Sequence, residues 1–232
     1  MTMANGGLPS SELADRSRHL LRSLMFGLIS GLLLLAFGML AGEVLEGDTR
    51  TVDMYLLSQA ESLRVSHAWV ADIMRDLSGL GSTIVLTLFT AITVGYLMVI
   101  CARATAVLVV LSASSGSVLV DVFKAWFGRV RPDPAYSEFV VSGLSFPSGH
   151  AAMSAAVFLT LGTLVATTRQ AWTERIYILF SAITLTVLVG VSRVVLGVHW
   201  TTDVAAGWAF GSGWAIVWLL LAREVARRHK PS

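Results

Sequence analysis

Six apolar runs, near residues 24–41, 80–100, 104–123, 151–166, 176–196 and 204–222, constrain this chain more than any other feature. A helix rises 1.5 Å per residue, so crossing a bilayer core takes roughly 20 residues, and only the fourth run is slightly short. The composition agrees: 55% hydrophobic, 14% charged and a mean hydropathy of +0.71 leave too little polar side chain to coat a soluble globule of 232 residues. The sequence therefore predicts an all-α fold, a six-transmembrane helix bundle forming a single integral membrane domain over residues 1–232. The first run is read as a retained helix, because it exceeds the usual core of a secretory signal and Met39-Leu40-Ala41 is a poor cleavage site.

Orientation follows from the basic residues. With the amino terminus inside, the inner segments hold Arg16, Arg18, Arg22, Arg103, Arg169, Arg175, Arg223, Arg227, Arg228 and Lys230, against Glu12, Asp15, Glu174 and Glu224. That is ten of the 17 basic residues and four of the 15 acidic ones. The positive-inside rule then predicts a multi-pass protein of the cell membrane with both termini cytoplasmic. The net charge of +2 is dispersed over helix edges rather than gathered in a stripe, so no nucleic acid partner is expected. The lone Cys101 cannot form an intramolecular disulfide.

No soluble domain is expected, since the longest segment between runs covers only residues 42–79. There, Met54, Leu57, Trp69, Ile73, Met74 and Leu77 fall near helical spacing among Glu61, Arg64, Asp72 and Arg75, which predicts one or two amphipathic helices at the interface. Two readings stand for them, a packing cover over the bundle and a lateral gate for a lipid. The loop over residues 133–146 carries Tyr136, Phe139, Val140, Val141 and Leu144, too apolar for a purely solvated loop. It either lines a lipid pocket or rests on the membrane surface.

Three polar blocks interrupt this pattern, all at helix ends that share one face of the membrane. Lys124 and Arg131 are seven apart, so a helix continuing to Pro132 would carry both on one stripe, where two cations suit a phosphate or simply snorkel to the interface. Arg129 falls off that stripe and reads as an interfacial residue, while Asp121 either orients Lys124 or is an ordinary polar end residue. Pro147-Ser148-Gly149-His150 opens the fourth helix: Ser148 is a good cap, Gly149 admits close approach, and the free N–H groups face an anion. Arg193 sits in the last turn of the fifth helix before Gly197, and His199 with Asp203 brackets the start of the sixth near Thr201 and Thr202. A carboxylate holding one imidazole nitrogen fixes the tautomer and leaves the other nitrogen as base or nucleophile. Metal binding is the weaker alternative, because two histidines and one carboxylate would have to hold the ion beside three cations.

These blocks, from Lys124 to Asp203 and in this order, resemble the signature of the type 2 phosphatidic acid phosphatase superfamily of membrane lipid phosphatases. Thr201 departs from the pattern, standing where proline is expected, and touches a helix start rather than the chemistry. The resemblance implies that His199 attacks phosphorus with Asp203 orienting it, and that His150 protonates the leaving oxygen and then activates water. It implies further that Lys124, Arg131, Ser148, Gly149 and Arg193 bind the phosphoryl oxygens, with Ser192 assisting by hydrogen bonding. No metal and no other cofactor is implied.

The leading expectation is thus a metal-independent phosphatase acting on a lipid phosphate or diphosphate among membrane lipids, at the outer face. Undecaprenyl diphosphate is the favoured substrate, followed by phosphatidylglycerophosphate and phosphatidic acid. Transfer of the phosphoryl group to a sugar or lipid hydroxyl stays open. A non-hydrolytic carrier of polyprenyl phosphate is disfavoured, because simple anion binding does not need two histidines and a carboxylate, and inverted repeats are not evident in the sequence.

Overall fold

The computed structural model describes residues 10–228, which form eight helices and a short 3-10 turn, with no strand among them. The helices are α1 (Ser10–Glu46), α2 (Arg50–Ser66), α3 (Ala68–Gly79), α4 (Thr83–Val99), α5 (Arg103–Phe127), α6 (Gly149–Thr167), α7 (Trp172–Val195) and α8 (Thr201–Arg228). Six stretches are long and apolar enough to cross a membrane: α1 from Leu20, α3 with α4 as Ala68–Val99, then α5, α6, α7 and α8 to Val225. Apart from α4, which lies within its run, each of these helices is longer than the apolar run that marks it, because the ladder of backbone hydrogen bonds continues into the interface, where side chains turn polar. In α1, for example, the ladder reaches past Glu43 to Glu46. Of the basic residues assigned to the inner face, Lys230 lies outside the described residues.

Helix α6 occupies the centre, packed against α4, α5, α7 and α8, while α1 lies along α8. Small residues make this possible. Ala151, Ala152, Ser154, Ala155 and Ala156 bury one side of α6 almost completely, and Gly211 of α8 faces it so closely that a Cβ there would collide with the Ala152 carbonyl. With no hydrophobic effect between helices in lipid, such close backbone approach supplies the dispersion contact that holds a bundle together. The outward faces keep large apolar side chains exposed, among them Leu24, Ile84, Val107, Val118 and Phe180, as a lipid-facing surface requires.

Beneath the polar end of the bundle, Phe146 is fully buried and contacts Phe37 and Phe127, with ring centroids 5.9 and 5.0 Å away. Phe123 and Phe210 complete this cluster. It anchors the chain immediately before Pro147 and so sets the start of α6.

One expectation needs correction. Helix α5 does not run to Pro132: it stops at Phe127, and Gly128 takes the left-handed conformation (φ +60°) that caps it. Lys124 and Arg131 therefore share no helical stripe. The 42–79 segment does form two helices, α2 and α3, and α3 turns Val70, Ala71 and Ser78 inward while Trp69 and Ile73 stay 61% and 45% exposed. Helix α2 buries Asp53 beside Leu57 and Ala60, because the carboxylate has partners deeper in the protein.

Candidate active site

Four pieces of chain meet at the end of the bundle where α1, α5 and α7 finish and α6 and α8 begin. Helix α7 ends at Val195, and Gly197 (φ +71°) turns the chain back toward α8. A Cβ at Gly197 would meet the Tyr136 carbonyl, so this position needs glycine for both conformation and space. The turn delivers His199, 1% exposed, to the first residues of α8.

Asp203 is fully buried and stands at the third position of α8, from which its Oδ2 accepts the backbone N–H of Trp200 at 3.0 Å. That contact is half of a capping box, with a carboxylate reaching back to the residue before the helix. The same Oδ2 lies 3.3 Å from His199 Nδ1 and accepts the Ser145 hydroxyl in a short hydrogen bond. On the far side of the ring, Arg131 Nη1 is 3.0 Å from His199 Nε2. Because a guanidinium can only donate, Nε2 must carry the lone pair and Nδ1 the proton directed at Asp203. Burial lowers His199 to about 4, with Asp203 opposing the shift, so the imidazole is neutral at physiological pH. Burial also lowers Arg131, again against the pull of Asp203. A guanidinium nevertheless stays charged.

The other sequence-predicted residues converge here. Arg131 is fixed by the carbonyls of Gly143 (3.0 Å) and Val198 (2.7 Å). Lys124 Nζ donates to the Leu144 carbonyl at 3.3 Å and would sit 4.0 Å from a Cβ built on Gly149. Arg193 is 4% exposed and donates from Nη1 to Ser78 Oγ of α3 at 2.5 Å, while its Nε has no protein partner. Ser148 takes the position before α6, but its hydroxyl makes no cap and is also buried without a protein partner. His150, in the first turn of α6, lies within electrostatic reach of Arg193, His199, Lys124 and Arg131. Its ring edge approaches Gly81, in the break between α3 and α4, where a Cβ would come within 3.4 Å.

Ser192 is not brought into this group: its hydroxyl donates to the Val189 carbonyl of its own helix at 2.6 Å. No ion pair joins Asp121 to Lys124 among the described residues, and Asp121 is exposed. Beside Arg131 opens a cavity of about 920 Å³ lined by Met54, Phe139, Val140, Val141, Leu144 and Trp200, among others. The apolar loop residues thus face a pocket.

Sequence reasoning missed four contributors. Arg129, read as interfacial, is half-buried and ion-paired at 2.6 Å to both Asp53 and Asp203. Gly128 was the available signal, since a helix ending there frees the next residues to turn inward. Asp53 was detectable as a carboxylate four residues before Leu57 on the buried face of α2. Ser145 and Ser78 left no signal, because a single serine in a loop or helix end is commonplace.

Two buried polar atoms without protein partners, three cations and a helix start therefore surround a neutral imidazole backed by a carboxylate. Leaving Ser148 Oγ and Arg193 Nε unpaired would cost about 1–3 kcal/mol each unless something else bonds them. A tetrahedral oxyanion supplies acceptors for Arg193, Lys124, Arg131 and the N–H groups of α6 together. The fold is that of a membrane-spanning helix bundle, and the donor set at one of its ends suits a phosphate-type anion.

The comparisons with known proteins give the family. A family model described as PAP2 superfamily matches residues 104–227. Phosphatidylglycerophosphatase B of Bacillus subtilis (strain 168) is 32% identical over 187 residues, 77% of this chain and 87% of that protein. An undecaprenyl-diphosphatase of Sulfolobus acidocaldarius is 35% identical over 115 residues, 47% of this chain and 52% of that protein. The crystal structure of a transmembrane PAP2 type phosphatidylglycerolphosphate phosphatase from Bacillus subtilis matches with a TM-score of 0.76 at 28% identity, covering 87% of this chain and 97% of that one. The chain belongs to the PAP2 superfamily, as a multi-pass membrane member of its lipid phosphatase branch.

Proposed function

We propose that this protein hydrolyses a phosphomonoester or terminal diphosphate on a membrane lipid through a phosphohistidine at His199. The observation that carries the reading is the arrangement around that ring: Nδ1 toward Asp203, Nε2 toward Arg131, and cations beyond. Nε2 attacks phosphorus as the bond to the lipid oxygen breaks, and Arg131 moves from the ring nitrogen to a phosphoryl oxygen. His150, protonated once the bound phosphate dianion offsets the surrounding cations, gives its proton to the departing oxygen. It then takes a proton from the water that attacks phosphorus, which breaks the bond to His199 Nε2 and releases inorganic phosphate. Asp203 balances the positive charge that develops on His199. Lys124, Arg131, Arg193, Ser148 and the Gly149 N–H stabilise the charge on the phosphoryl oxygens. The cavity beside Arg131 receives the lipid headgroup or leaving group.

Two substrates are in contention. The sequence reading favours undecaprenyl diphosphate, and a relative of that name aligns with 47% of the chain. Phosphatidylglycerophosphate is supported by a relative named for it that aligns with 77%. Phosphate release from both lipids and from phosphatidic acid, measured on detergent-solubilised protein, tests the reaction and ranks the substrates. Activity is expected to survive EDTA dialysis and to be inhibited by vanadate, which mimics five-coordinate phosphorus. Loss in chelator that magnesium or zinc restores would count against the histidine mechanism. Adding a sugar or lipid alcohol should leave phosphate release unchanged; a phosphorylated acceptor in its place would mark a transferase.

We further propose that this site faces away from the cytoplasm, with both termini inside, on the strength of the basic residues at the opposite helix ends. In a Cys101→Ser background, Ser137→Cys should react with an impermeant maleimide in intact cells and Thr173→Cys should not. The opposite labelling pattern would turn the topology over.

A further inference from the structure

The Asp203 carboxylate is gripped on its second oxygen by a residue that the proposed reaction does not use. Arg129 Nη1 donates to Asp203 Oδ1 at 2.6 Å, while its Nη2 donates to Asp53 Oδ2 at 2.6 Å. Asp53 is fully buried and comes from α2, the helix laid over this end of the bundle. Its other oxygen accepts the backbone N–H of Thr202 at 3.0 Å, and its Oδ2 also accepts the Thr202 hydroxyl at 2.7 Å. Asp53 therefore caps α8 from a different helix, one residue before Asp203, where a negative charge suits the helix start. Arg129 is held in place by Thr49, by Thr202 and by the face of Trp200, 5.4 Å from its ring centre. The backbone is tied in as well, since Ser145, whose hydroxyl bonds Asp203, donates its N–H to the Arg129 carbonyl at 2.8 Å.

Burying two carboxylates and a guanidinium is a poor route to stability, because desolvation consumes most of the attraction and apolar contacts would dock α2 as well. Geometry offers the better explanation. A carboxylate held through Oδ2 alone, by His199, Ser145 and the Trp200 N–H, keeps more freedom about its Cβ–Cγ bond than one bonded at both oxygens. Charge matters too: Arg129 alone would neutralise Asp203, and Lys124 and Arg131 already act on it from the phosphate side. Asp53 supplies the compensating charge.

We propose that Asp53 and Arg129 are positioning residues for phosphoryl transfer, locking Asp203 onto His199 while leaving it a full negative charge to set against the developing imidazolium. The inference rests on His199 being the nucleophile.

Asp53→Asn and Arg129→Lys test it in the purified full-length chain. Each should lower kcat roughly 10- to 100-fold, the usual cost of removing a group that orients a reacting one, with KM changed less than about threefold. The rate of phosphoenzyme formation should fall in parallel. A lysine keeps the charge but cannot fork between two carboxylates, so Arg129→Lys should lie between the native protein and Arg129→Gln. Arg64→Gln is the control, since Arg64 ties α2 to the Tyr136 carbonyl and Glu138 without touching Asp203. It should lower thermal stability and leave kcat within about twofold. Native kcat in Asp53→Asn and Arg129→Lys, or a loss confined to stability or KM as in the control, overturns the proposal. Absence of any phosphohistidine in the native protein overturns the reading beneath it instead.

Discussion

His199→Ala is expected to lower turnover of the lipid substrate on the order of 10⁴-fold or more, the scale seen when a catalytic nucleophile or its base is deleted. The size of the effect follows from the surroundings of the ring. A neutral imidazole, proton toward Asp203 and lone pair outward, is ready to form a bond to phosphorus. Among the described residues at this site His150 is the other imidazole, and no carboxylate acts on its ring; the cations lack a lone pair, and the Ser148 hydroxyl has no protein base bonded to it. Binding should survive, because Lys124, Arg131, Arg193 and the start of α6 are untouched. Vanadate should therefore still protect the His199→Ala protein against thermal unfolding, which separates loss of chemistry from loss of fold. Recovery of more than about a tenth of native turnover would mean that the phosphoryl group passes to water directly.

The second large effect belongs to His150 and depends on the leaving group. His150→Ala should slow hydrolysis of a lipid alkyl phosphate by about 10²- to 10⁴-fold, the usual contribution of a positioned general acid. An alkoxide is a poor leaving group without a proton, whereas nitrophenolate departs unaided. With nitrophenyl phosphate the same substitution should cost less than about tenfold in the first step. Equal losses on both substrates would assign His150 to binding or to the second, water-dependent step alone.

The transmembrane count and all three polar blocks were legible because each rests on a local rule. Apolar length reports a bilayer crossing whatever the tertiary structure, and histidine, arginine and carboxylate at helix ends in lipid stand out against the apolar background. The failures share a different cause. Placing Lys124 and Arg131 on one stripe extrapolated a helix through Gly128, although a left-handed cap costs glycine little and ends the ladder there. The inward face of α3 could not be assigned from spacing, because Trp69 and Ile73 carry the hydrophobic pattern from the exposed side. Arg129 and Asp53 lie 76 residues apart and pair only after α2 folds over the bundle. Spacing cannot report such a contact. Ser148 illustrates the remaining ambiguity: a serine before a helix usually caps it, and here the hydroxyl is left for the site.

The central claim is the phosphohistidine, and trapping it is the most direct test. Purified protein mixed with radiolabelled lipid phosphate and quenched after part of a turnover should carry label that is stable in base and released by acid, as a phosphorus–nitrogen bond requires. Peptide mapping should place that label on His199. The label should vanish in His199→Ala and persist or accumulate in His150→Ala when nitrophenyl phosphate is the donor. Label that persists in His199→Ala but is lost in His150→Ala would reverse the two roles, and no label in the native protein at any quench time would contradict the covalent mechanism.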